Sequence, residues 1–182
     1  MLYNNFMNIL VWILVVVVVY LFLVFVVARL VAPFYGFKPW QPPINLPSEI
    51  KETIVILENK SHDQASYLQE VYNLVLDKTL HQWHHTRFKA GTRINRGFIK
   101  DLLEIWQTRD FVYCTAINYT AYVLLTGSRF FKASDIKTKV VFLNFVAHQY
   151  LQVKAGGKWI DFDPAGSGIR NKPLGTHASI FG

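Results

Sequence analysis

Apolar positions along the chain fall into three regimes. From Phe6 to Ala28, "FMNILVWILVVVVVYLFLVFVVA" runs for 23 residues without a formal charge. At about 1.5 Å per residue, roughly 20 such residues cross a bilayer's hydrocarbon core, so the block predicts one transmembrane helix. A cleaved signal peptide is the competing reading, and the lack of any Lys or Arg in residues 1–28 argues against it. From residue 48 the spacing becomes helical. "SEIKETIVILE" predicts a short helix over 48–58, and Ser61 with Gln64 reads as a capping box opening a second helix with Leu68, Val71, Tyr72 and Val75 on one face. "FIKDLLEIWQ" predicts a third helix over 98–107. "CTAINYTAYVLLTG" predicts a fourth, with Ile117, Ala121 and Leu124 at helical spacing and Gly127 as terminator. From about Lys139 onward, "KVVFLNFV", "HQYLQV" and "KWIDFD" are β-branched and aromatic with partial alternation, which predicts strands. Helices followed by an antiparallel sheet, preceded by one transmembrane helix, make an α+β layout.

The register of the last two strands sorts their polarity. If Gly156-Gly157 form a two-residue turn, Ala155 faces Lys158, Val153 faces Ile160, Leu151 faces Phe162 and Tyr150 faces Asp163. One face is then apolar. The other carries His148, Tyr150 and Gln152 beside Trp159, Asp161 and Asp163, with Asp163 diagonal to His148. A three-residue turn would set Leu151 opposite Asp161 and mix the faces, so burial selects the glycine turn.

The pattern divides the chain into an anchor (1–32), a linker (33–47) carrying Pro33, Pro39, Pro42, Pro43 and Pro47, and a domain (48–182). Arg29 and Lys38 follow the apolar block and nothing basic but the amino terminus precedes it, which predicts a single-pass membrane protein with its domain on the cytoplasmic side. The formal charge of +7 owes much to Arg87, Lys89, Arg93, Arg96 and Lys100. No aromatic interleaving or recognition motif accompanies them, so a solvated loop is expected and no nucleic-acid partner. In "HQWHH", His81, His84 and His85 have helical spacing without a carboxylate or cysteine to complete a ligand set, and no metal or cofactor is expected.

Cys114 is the only cysteine, so no intramolecular disulfide can form. It stands at the start of the fourth helix, where the dipole and free amides favour thiolate. His148 opens a strand 34 residues later, and Asp163 precedes a proline 15 residues further on. Over roughly residues 98–165 this order resembles the transglutaminase-like cysteine peptidase superfamily. The resemblance is carried by Cys114 with its helix (Ala121, Leu124, Leu125, Gly127), by "HQYLQV", similar to the family's His-x-aromatic strand, and by "GGKWIDFDP", similar to its Gly-x-Trp-x-x-x-Asp-Pro ending. Tyr113 and Thr115 flank the cysteine where the family often has a small residue and a tryptophan. The resemblance implies a papain-like/transglutaminase-like core with Cys114 as nucleophile, His148 as base and Asp163 as orienting acid. Asp161 is the rival acid, and Trp106 is expected in the core rather than in an oxyanion site.

The expected function is therefore a membrane-anchored, cysteine-dependent acyl-transfer enzyme. Its partners would be the lipid bilayer and a peptide or protein amide, with either water or another amine accepting the acyl group. The competing reading is a domain of the same fold that binds a peptide or partner in the cleft without turnover.

Overall fold

The computed structural model of the protein describes residues 2–27, 30, 32, 34–36, 40–86, 99–108, 112–141, 148–166 and 173–178, excepting the side chains of 2–7, 24, 25 and 81–86. Helix α1 spans Leu2–Phe22 and passes into a π-helical stretch, Leu23–Val27. Its apolar side chains stand open on every side: Trp12, Ile13 and Leu14, which point in three directions around the axis, are 67%, 56% and 63% exposed. Among the described residues no helix is both long and apolar enough to cross a membrane.

The domain begins with α2, Ser48–Lys60, which buries Ile50, Ile54 and Leu57 along one stripe. Helix α3, Gln64–Thr86, buries the expected face, Leu68, Val71, Tyr72 and Val75. Its cap is not the expected one. Asp63 accepts from the Ser66 amide at 2.8 Å while Ser66 Oγ accepts from the amides of His62 and Asp63 at 3.0 Å each. The Ser61 hydroxyl instead turns back to Leu57 O at 2.8 Å, closing α2. The third predicted helix is shorter than expected: α4 spans Leu102–Gln107, because Asp101 caps it by accepting from the Glu104 amide.

Helix α5, Cys114–Thr126, is the axis of the domain. Every residue from Thr115 to Leu125 is buried except Tyr119, which is partly covered. A helix covered on all sides needs apolar residues all round, and this sequence supplies them. Gly127 ends it for a reason other than a left-handed turn: its φ is −75°, and a Cβ there would lie 2.6 Å from Ile54 Cδ1. It is the lack of a side chain that lets α2 approach.

A single 3₁₀ turn, Ala133–Asp135, leads into the sheet, whose order is β1 (Ile136–Val141), β2 (His148–Ala155), β3 (Lys158–Phe162), all antiparallel. Strand β1 starts three residues before the expected Lys139, and 142–147 lie outside the described residues. The hairpin has the register that burial selects, with Ala155 opposite Lys158, Val153 opposite Ile160 and Leu151 opposite Phe162. Gly156 and Gly157 take φ of 57° and 81°, the left-handed pair that a type I′ turn requires. Leu151, Val153 and Phe162 are fully buried against α5 and α3, each contributing about 1.5–3 kcal/mol. The apolar face is not wholly apolar, since Gln149 belongs to it and is fully buried.

The connector that follows α1 is laid on this domain. The Phe34 ring stacks on Tyr119 with centroids 3.9 Å apart. Trp40 donates through Nε1 to Phe34 O at 3.0 Å, and the Tyr122 hydroxyl donates to Trp40 O at 2.6 Å.

Candidate active site

Three elements deliver three side chains to one place. Cys114 is the first residue of α5, His148 the first of β2, and Asp163 the first after β3. His148 Nε2 lies 2.7 Å from Asp163 Oδ2, the diagonal contact that the hairpin register expects. Cys114 acts on the same ring, its interaction with the imidazole helping to raise the ring's pKa.

Asp163 is fully buried and every bond it accepts has a structural source. The amide of Gly166 donates to Oδ1 at 2.9 Å, across the helical turn 164–166 that Pro164 opens. The amide of Ala178 donates to Oδ2 at 2.9 Å. Gly166 must be a glycine for this packing, because a Cβ would sit 2.3 Å from Asp163 Oδ2 and 2.6 Å from Ala178 Cβ.

The His148 side chain is only 12% exposed. Burial works to lower its pKa, but the hydrogen bonds to Asp163 and Cys114, with the charges of both, outweigh it and push it up to about 10. The imidazole is thereby held as imidazolium beside the sulfur at neutral pH.

Asp161, the rival acid, is spoken for. It faces Gln152 across the strands and accepts from Gln152 Nε2 at 2.8 Å. Its other oxygen lies 2.7 Å from His177 Nδ1. The His177 ring stacks on Tyr150 with centroids 4.5 Å apart. Tyr150 walls this acidic side of the sheet, and burial followed by the charges of Asp161 and Asp163 pushes its hydroxyl up to about 12.

Asn118 and Gln149 hold the cysteine and histidine elements together. Asn118, one turn beyond Cys114 and fully buried, donates through Nδ2 to the Gln149 carbonyl. The Gln149 side chain, next to His148, accepts from the Gly36 amide at 3.2 Å and donates to Phe34 O at 3.4 Å. Each was readable in part: an Asn inside an all-buried helix, and a Gln in an apolar register position, are both exceptions to their pattern. His177 gave no such signal, because its contact with Asp161 joins positions 16 residues apart that no local pattern links.

Trp106 is buried in the core, as expected, with Lys78 Nζ 4.1 Å from its ring centroid and donating to its carbonyl at 2.6 Å. Among the described residues no group of three or more His, Cys, Asp or Glu could hold a metal ion, and the side chains of His81, His84 and His85 lie outside those described, as does the basic stretch 87–98. The arrangement can form a thiolate at a helix head, protonate a leaving group from the adjacent ring, and hold that ring in one orientation. No family model, no curated protein and no solved structure matches this chain.

Proposed function

We propose that the chain is a membrane-anchored, cysteine-dependent acyl-transfer enzyme with a transglutaminase-like core. The observation that carries the reading is the 2.7 Å contact of His148 Nε2 with a fully buried Asp163, while Cys114 acts on the same ring and helps raise its pKa. Histidine and carboxylate pair in many folds for structural reasons. Here the pair meets the only thiol of the chain, at the head of the domain's most buried helix.

In this reading His148 and Cys114 form an imidazolium–thiolate pair, and Asp163 fixes the ring's orientation and stabilises its charge. The thiolate attacks an amide carbonyl, His148 gives its proton to the departing amine, and the acyl group passes to water or to a second amine. The bilayer enters through α1: a helix apolar on every side and uncovered on every side is stable in lipid and not in water. The charge bias after the apolar block favours a cytoplasmic domain.

The test is 4-nitrophenyl acetate, a generic acyl donor, mixed with the full chain in detergent. Wild type is expected to release a burst of 4-nitrophenolate equal to the enzyme present. Cys114→Ala should lose it by about 10³-fold or more while keeping the same thermal unfolding profile. An unchanged burst in Cys114→Ala refutes the reading, and no burst in either chain favours a binding domain of the same fold.

A further inference from the structure

We propose that Tyr35, contributed by the connector between the apolar helix and the domain, is a further catalytic residue, whose hydroxyl donates a hydrogen bond to the oxyanion formed when Cys114 attacks a carbonyl. The assignment rests on the acyl-transfer reading and deepens it.

Residues 34–36 lie along the seam between α5 and β2. Gly36 N and Phe34 O both bond the side chain of Gln149, whose neighbour is His148. The Phe34 ring is stacked nearly parallel on Tyr119, five residues beyond Cys114 on the same helix. Phe34 itself takes φ of 60°, a left-handed backbone that costs a bulky residue about 1–3 kcal/mol and persists only where surrounding contacts impose it. Tyr35 is thus pinned on both sides, at the heads of the two elements that carry the nucleophile and its base.

What it brings there is a hydroxyl with nothing to bond. Tyr35 Oη is buried and has no hydrogen-bond partner among the described residues. A buried tyrosine hydroxyl normally finds one, and leaving it unpaired costs about 1–3 kcal/mol. Burial first, then the charges of Cys114 and Tyr20, raise its pKa, so the phenol keeps its proton at neutral pH. A neutral donor on the segment that runs by the heads of α5 and β2, unpaired among the described residues, matches what an oxyanion site requires, a group set in advance where charge develops only during reaction.

The step balances without any further reactant. Cys114 Sγ forms a bond to the carbonyl carbon and the carbonyl π pair moves onto oxygen. That oxygen accepts from the Tyr35 hydroxyl and from the Cys114 amide at the head of α5. When the pair returns, the bond to the leaving group breaks, and the leaving group takes its proton from the His148 imidazolium. Tyr35 retains its proton throughout.

Two reagents separate this role from a structural one. Acylation of Cys114 by 4-nitrophenyl acetate passes through an oxyanion, whereas alkylation by iodoacetamide displaces iodide at a saturated carbon and forms none. In the full chain, Tyr35→Phe is expected to slow acylation about 100-fold while changing alkylation by no more than about twofold. Preserved alkylation also reports that the variant is folded around its thiol. Equal slowing of both reactions, or of neither, overturns the assignment. A wild-type chain that alkylates rapidly but never acylates sinks the acyl-transfer reading itself, and Tyr35's role with it.

Discussion

At the scale of single residues, the site depends on atoms that are absent as much as on those present. Gly166 lies so close to Asp163 that Gly166→Ala must move the carboxylate, the turn 164–166 or Ala178. Overpacking of this kind costs about 1–3 kcal/mol, and here the displaced group orients the imidazole. Gly166→Ala is therefore expected to lower the unfolding midpoint and to reduce the rate of Cys114 acylation about tenfold or more; an unaltered acylation rate would mean that Asp163 does not govern the ring. The three candidate residues themselves were legible from order alone, because cysteine, histidine and Asp-Pro each sit at the boundary of an element that its own sequence pattern defines. The place of Tyr35 was not, since its neighbours Phe34 and Gly36 bond the side chain of Gln149, more than a hundred residues away.

At the scale of elements, periodicity located the helices and strands while local hydrogen bonds set their ends. Asp63 with Ser66 out-competed the Ser61–Gln64 cap that the pattern suggested, and Asp101 with Glu104 started the third helix later than the pattern did. Both are short-range choices among neighbouring Ser and Asp side chains, whose energies differ by less than about 1 kcal/mol. The glycine turn was legible because a one-residue slip would have buried Asp161 opposite Leu151. Helix α1 is the element whose role reaches furthest beyond the domain. In sealed vesicles with the cytoplasmic face outward, added protease is expected to digest residues 48–182, and in vesicles of the opposite orientation to leave them intact. The reverse pattern would place the domain on the other side of the membrane, and a chain that leaves the vesicle fraction altogether would remove the bilayer from the account.

At the scale of the whole molecule, the α+β order of helices before an antiparallel sheet was readable from the change of hydrophobic period near Lys139, three residues after β1 begins. The position of the connector was not, because five prolines suggested only an extended spacer. Phe34, Trp40 and Leu46 instead pack against the domain core. The consequence is that the described part of the connector belongs to the same packed body as the domain. The proposed acyl transfer turns on one property, a His148 imidazolium, its pKa pushed up to about 10, standing by to favour thiolate at Cys114. The most direct measure of that property is the rate of iodoacetamide alkylation of Cys114 at pH 6, where a free cysteine is less than about 1% ionised. Wild type is expected to react about 10–100-fold faster than free cysteine, and His148→Gln to fall back to the free-thiol rate. A wild-type rate no greater than that of free cysteine would contradict the account.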